Sequence, residues 1–88
     1  MRVPPSEQLI LGLLTERGES YGLELVAASG NRVKRGGVYV TLGRMEQKGL
    51  VVSSTGQGGR RLYRLTALGE RALLASRFMA GEIRLRQA

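Results

Sequence analysis

The chain has 88 residues, enough for one domain but not for two. Fourteen basic residues, twelve of them arginine, outnumber seven glutamates and give a formal net charge of +7 and an isoelectric point near 11.1. Because the sequence contains no histidine, cysteine or aspartate, we predict no catalytic activity, no cofactor and no metal site.

The first two segments of the chain predict amphipathic helices over about residues 6–17 and 20–29. In both, apolar residues recur at helical spacing. Ser6 and Ser20 precede the apolar runs and are predicted to cap the two helices. Gly18 is predicted to end the first helix, and a glycine–asparagine pair the second.

A third helix is predicted over residues 36–48, ended by Gly49 and followed by a buried Leu50. At about 100° per residue, Val38 and Met45 fall on one face together with Leu42, and that face is expected to meet the core. The opposite face is predicted to carry Val40, Gly43, Arg44 and Gln47.

The next segment changes from helical to alternating periodicity, which predicts two short strands joined by the turn TGQGGR. The glycines of the turn supply the positive φ angles that a β-hairpin requires. We expect the core residues of this part of the chain to be Leu50, Val52, Tyr63 and Leu65. Three arginines, Arg60, Arg61 and Arg64, lie on or next to the returning strand.

The last segment, residues 67–88, predicts a helix capped by Thr66. It carries more apolar surface than a core of this size can cover, so we expect it to form a dimer; the alternative is a helix folded back over its own domain. The predicted dimer contacts are Leu68, Ala72, Ala75, Phe78, Met79 and Ile83.

The predicted order of elements is helix, helix, helix, hairpin, helix, which is typical of a winged helix-turn-helix protein. This fold class is mostly α with a small β-hairpin. Residues 1–66 would form the DNA-binding domain and residues 67–88 the dimerisation helix.

Three segments of the sequence resemble the PadR-like transcriptional regulators over about residues 6–75. They are LILGLLTERGESYGLEL, GGVYVTLGRMEQKGLV and GGRRLYRLTALGERAL. The third-helix and wing motifs of the family are matched by Gly36, Val38, Tyr39, Leu42, Met45, Glu46, Gly49, Leu50, Arg61, Tyr63, Leu65, Thr66 and Gly69.

The resemblance implies a cytoplasmic, homodimeric, DNA-binding repressor whose C-terminal helix makes the dimer contact. The sequence departs from the family at Leu23, which replaces a tyrosine of the second-helix motif, and in its short C-terminal region. That brevity leaves a small-molecule effector undetermined. Nothing resembles a signal peptide, and we predict no membrane partner.

The charge and the third helix together predict binding to double-stranded DNA, although a basic protein without a nucleic-acid partner has the same charge balance. Arg44 matches guanine, Gln47 matches adenine and Val40 matches the thymine methyl group. Gly43 either allows close approach of the backbone to DNA or packs against another helix. The full predicted DNA-contacting set is Lys34, Arg35, Gly36, Gly37, Tyr39, Val40, Thr41, Arg44, Gln47, Lys48, Arg60 and Arg61.

Alternatives stay open for several of these residues. Tyr39 is either a phosphate contact or a half-buried core tyrosine, and the lysines and Arg35 are either phosphate contacts or solvated charges. The arginines of the wing either reach a minor groove or its phosphates or belong to a mobile surface hairpin. For the whole protein, the alternative is a protein-interaction module on the same scaffold without specific DNA binding.

Overall fold

The computed structural model describes residues 3–79. Its helices and strands, in chain order, are α1 (Pro5–Arg17), β1 (Ser20–Tyr21), α2 (Gly22–Ala28), α3 (Val38–Gln47), β2 (Val51–Thr55), β3 (Arg61–Leu65) and α4 (Ala67–Met79). The strands form an antiparallel sheet in the order β1-β3-β2, and one 3₁₀ turn over Gln57–Gly59 joins β2 to β3. This arrangement confirms the predicted winged helix-turn-helix fold.

One hydrophobic core lies between the helices and the sheet. It confirms the predicted inner face of α3, since Val38, Leu42 and Met45 are fully buried. The other helices and strands contribute Ile10, Leu11, Leu14, Leu25, Val26, Val33, Leu50, Val51, Tyr63 and Leu73. Leu73 belongs to α4, so this helix packs against its own domain at that point. This residue was not among the predicted dimer contacts of the helix.

The start of α1 differs from the prediction. The helix begins at Pro5 with Pro4 at the N-cap, and no side chain caps it. Ser6 is therefore an exposed residue of the first turn and not the cap. Proline suits the first helical position because its fixed φ is already helical and its missing N–H has no partner there.

The predicted second helix is shorter than expected, because Ser20 and Tyr21 form β1 and not its first turn. They pair with β3, with Ser20 opposite Tyr63 and Tyr21 opposite Leu62. The Tyr21 N–H donates to the Glu24 carboxylate at 2.8 Å, which satisfies a backbone group at the start of α2. The prediction that Ser20 caps the second helix was therefore wrong, because Ser20 lies in the sheet.

The exit from α3 sets the register of β2. Gly49 has a φ of 78°, and the Leu50 N–H bonds back to the Met45 carbonyl at 2.9 Å. This glycine-closed helix end confirms the predicted stop and buries Leu50 against the core. The alternation of buried and exposed side chains in β2 begins at Val51, which is buried. The prediction that Val52 is a core residue was therefore wrong, because its side chain is exposed.

Candidate nucleic-acid interface

The outer face of α3 is open to solvent. Tyr39 and Val40 are 49% and 58% exposed, and Arg44 and Gln47 are exposed as well. Thr41 and Gly43 are half-buried. The residues predicted to read bases therefore share one accessible helical surface, opposite the face that packs in the core.

The glycines of this surface have no packing role inside the described residues. Gly36 and Gly37 lie in the turn before α3 and not in the helix, which begins two residues later than predicted. A Cβ atom on Gly36, Gly37 or Gly43 would meet nothing within 4 Å. Within residues 3–79, the alternative that Gly43 packs against a second helix was therefore wrong.

Tyr39 joins α3 to the start of α2. A Cβ atom on Gly22 would lie 2.7 Å from Cε1 of the Tyr39 ring, so the absence of a side chain at Gly22 is what admits the ring. Half of the tyrosine surface still faces solvent. The Tyr39 ring therefore packs against Gly22 on one side and remains partly exposed to solvent. Its role as a phosphate contact stays a prediction.

The tip of the wing, residues 56–60, is held against Tyr21. The Tyr21 hydroxyl accepts a hydrogen bond from the Gln57 N–H at 2.9 Å. The Arg60 guanidinium carbon lies 4.0 Å from the centre of the Tyr21 ring, and Gly56 is too close to the phenol to carry a side chain. The sequence did not indicate this role of Tyr21, because its partners are distant in the chain and no local pattern marks them.

Glu46 joins α3 to the wing. Its carboxylate accepts a hydrogen bond from the Ser53 hydroxyl at 2.8 Å, and Ser53 lies opposite Tyr63 in the sheet. Burial raises the pKa of Tyr63, and the nearby Glu46 carboxylate raises it further, while the Arg61 guanidinium lowers it. Glu46 and Arg61 therefore lie close to the same phenol, which brings α3 and the returning strand of the wing together.

The predicted flanking cations separate into two groups. Lys34 and Arg35 are exposed just before α3. Lys48 instead places its ammonium 2.8 Å and 3.0 Å from the two carboxylate oxygens of Glu7, which is almost fully buried. Since a buried carboxylate needs a counter-charge, Lys48 serves as the counter-ion of Glu7 in the structure, and its phosphate contact stays a prediction.

Comparison with known proteins bears on what this surface does. The model of the "Transcriptional regulator PadR-like family" matches residues 10–75, three quarters of the chain. The chain belongs to the PadR-like family of transcriptional regulators. It is therefore a regulator with a DNA-binding fold, and not an enzyme. No curated protein matches it.

Solved structures agree with this family assignment. The PadR-like regulator is 30% identical to a PadR family transcriptional regulator from Eggerthella lenta, over 84% of this chain and 66% of that one, with a TM-score of 0.68. RosR of H. salinarum is 28% identical over 97% of this chain and 80% of its own, with a TM-score of 0.73. YusO of Bacillus subtilis is 25% identical with a TM-score of 0.74; the match covers 92% of this chain but only 61% of YusO.

The PadR-like regulator also exposes apolar side chains on α4. Among the predicted dimer contacts, Met79 is 84% exposed, and Leu68, Ala75 and Phe78 are exposed too. Ala72 is partly buried against its own core, and Ile83 lies outside the described residues. No helix within residues 3–79 combines the length and the apolar character needed to cross a bilayer.

Proposed function

We propose that this PadR-like regulator is a cytoplasmic repressor that binds a specific double-stranded DNA site as a homodimer. In this proposal α3 enters the major groove, and the wing, residues 53–62, contacts the adjacent minor groove or backbone. The proposal rests on one observation: α3 and the wing both contact the start of α2, at Gly22 and Tyr21 respectively. Tyr39 of α3 packs on Gly22, while Arg60 of the wing stacks on Tyr21.

Base recognition is assigned to the exposed face of α3. The planar fork of Arg44 matches the two acceptors of guanine, and the amide of Gln47 matches the donor and acceptor of adenine. Val40 offers an apolar surface to a thymine methyl group. Each good bidentate contact would discriminate against a wrong base by about 1–3 kcal/mol.

Phosphate binding is assigned to the rim of the same face. Lys34 and Arg35 are exposed where the chain enters α3, and Arg60 and Arg61 are exposed on the wing. These cations, with the polar and backbone groups of Gly36, Gly37, Tyr39 and Thr41, would follow the DNA backbone on both sides of the recognition helix. Lys48 is left out because its charge is bound to Glu7.

The homodimer is assigned to the outer surface of α4. Apolar side chains exposed along this helix, Phe78 and Met79 among them, favour burial against a second copy. A twofold dimer would place its two recognition helices in successive major grooves, roughly 34–36 Å apart. The bound DNA site would then be palindromic.

Selection of bound sequences from random duplexes tests specificity and half-site symmetry together. We expect a palindromic site and a fall in affinity of about a thousandfold or more between roughly 50 and 200 mM salt, if six or more phosphates are bound. On the selected site, Arg44→Ala should flatten the preference at one base pair in each half-site.

Arg60→Ala is the matched control for that experiment, because it should weaken all sequences alike and leave base preference unchanged. If Arg44→Ala left every base preference intact, the assignment of α3 as the recognition helix would be wrong. Absence of duplex binding even at low salt, together with capture of an acidic protein, would instead support the interaction-module alternative.

A further inference from the structure

We propose that Tyr21 is a positioning residue for DNA binding: its phenol holds the tip of the wing and presents the Arg60 guanidinium to a phosphate. The inference rests on the proposed function and adds to it a residue that belongs to neither the recognition helix nor the wing.

Three contacts of the phenol carry the proposal. Its hydroxyl accepts a hydrogen bond from the Gln57 N–H at 2.9 Å. Its ring lies under the Arg60 guanidinium, with 4.0 Å between the guanidinium carbon and the ring centre. Its edge fills the space that a side chain at Gly56 would occupy. One side chain therefore contacts the first two residues of the tip, Gly56 and Gln57, and its last residue, Arg60.

The base of the phenol is fixed in turn. Tyr21 pairs with Leu62 in the sheet, and its N–H is bonded to the Glu24 carboxylate at 2.8 Å. Gly58 and Gly59 have positive φ angles, and as glycines they allow the backbone of the tip to adopt many conformations. Two backbone bonds lie within the tip, from the Gly56 N–H to the Arg60 carbonyl and from the Arg60 N–H to the Gln57 carbonyl. The phenol adds an anchor from outside the tip.

Stacking on a ring uses the flat face of the guanidinium. The Arg60 Nε donates to the Gln57 carbonyl at 3.5 Å, which leaves the edge formed by the two terminal amino groups for a phosphate. That edge is the part that binds phosphate in a bidentate manner. An arginine held in this way has already lost the rotamer freedom that a free arginine would lose on binding. Release of the stack should therefore weaken DNA affinity by about three- to tenfold.

A double-mutant cycle between Tyr21→Leu and Arg60→Lys tests this mechanism, with dissociation constants measured on the selected site. Arg60→Lys keeps the positive charge but replaces the planar stacking group. We expect each single variant to weaken binding by about three- to tenfold, and the double variant to bind no more weakly than the weaker single variant. Independent losses that multiply in the double variant would overturn the proposal.

Amide hydrogen exchange at Gln57 supplies a readout that does not depend on DNA. Tyr21→Phe keeps the ring but removes the acceptor of the Gln57 N–H, so exchange there should be about fivefold faster, and DNA affinity should fall by less than in Tyr21→Leu, which also removes the ring. Leu23→Ala, an exposed change two residues further on, is the matched control and should alter neither quantity. If Gln57 exchange were unchanged in Tyr21→Phe, the proposed hold of Tyr21 on the wing tip would be wrong, even if Tyr21→Leu failed to fold.

The two proposals fail differently. If the wild-type chain bound no duplex at low salt, the proposed function would be wrong. The role of Tyr21 in DNA binding would then be wrong too, even if hydrogen exchange still showed that Tyr21 holds the wing tip. If wild type bound its site and the cycle was additive, only the role of Tyr21 would fall.

Discussion

Glu7 and Lys48 form an ion pair that joins the first turn of α1 to the end of α3, with 2.8 Å between the ammonium and one carboxylate oxygen. The carboxylate is almost entirely buried, whereas the lysine side chain is 31% exposed. Removing the lysine alone would leave a buried negative charge with no counter-ion. The pair therefore fixes the position of α3 on α1.

Lys48→Met should lower the free energy of unfolding by about 2 kcal/mol, somewhat less than for a fully buried pair because the lysine is partly solvated. The double variant Glu7→Leu/Lys48→Met should recover most of this loss, since no charge then remains buried. Urea denaturation of the wild type, of Lys48→Met and of the double variant measures both effects. Wild-type stability in Lys48→Met would show that the pair does not hold the helix.

Gly43→Ala should separate stability from DNA affinity. A Cβ atom there meets nothing within 4 Å, so the helix should gain up to about 1 kcal/mol of stability from the better helix former. If the backbone approaches DNA closely, the added methyl group should weaken affinity by about tenfold. Thermal unfolding and a binding titration measure the two quantities.

Gly12→Ala is the matched control for that variant, because Gly12 lies in α1 and a Cβ there would approach only the flexible end of Arg77. It should leave affinity unchanged. A Gly43→Ala protein that binds DNA as wild type does would remove close backbone approach from the proposed interface.

Arg35→Ala should reduce the salt dependence of binding. If its guanidinium neutralises one phosphate, the slope of log K against log salt should become shallower by about 1. Titrations at several salt concentrations give the slope. Arg71→Ala, a substitution at an exposed position of α4, is the control and should leave the slope unaltered. Equal slopes in wild type and Arg35→Ala would exclude a phosphate contact of Arg35.

Tyr63 should make stability fall at alkaline pH. Burial raises its pKa above the ordinary 10.0, so the folded state holds the phenol proton more tightly than the unfolded chain. The stability that comes from this difference is complete below pH 10 and is lost as pH rises from there through the folded pKa. Urea denaturation between pH 8 and pH 11 should show a shallower decline in Tyr63→Phe, and parallel declines would contradict this.

Phe78→Glu should shift the protein towards monomer if α4 forms the dimer. The charge would be placed among exposed apolar side chains that a partner copy would bury. Sedimentation equilibrium measures the association, and Ala67→Glu, an exposed change in the first turn of α4, serves as the control. Identical association of wild type and Phe78→Glu would place the contact elsewhere.

The features that local sequence predicted well are those that neighbouring residues determine. Gly18 and Gly49 end their helices as expected, because their positive φ angles are available within one turn. The two faces of α3 follow from helical periodicity, and the glycine-rich wing tip from its turn residues. For the same reason the motif order was enough to indicate the family.

The features that the sequence did not reveal depend on distant partners. A strand of only two residues shows no alternation, so β1 is defined by its pairing with β3. The register of β2 depends on how Leu50 is buried after α3, which exchanged the expected roles of Val51 and Val52. The charge of Lys48 could be assigned to Glu7 only once α1 and α3 were packed together.

The sequence by itself determined the order of the four helices and the wing hairpin, the inner and outer faces of α3 and the net positive charge. Periodicity, glycine placement and charge are properties that short segments already carry. Only the tertiary structure decided that Tyr21 meets the tip of the wing and that Lys48 meets a buried carboxylate. Both contacts join parts of the chain about 36 and 41 residues apart. Such contacts exist only after packing has overcome the entropy of closing the intervening chain.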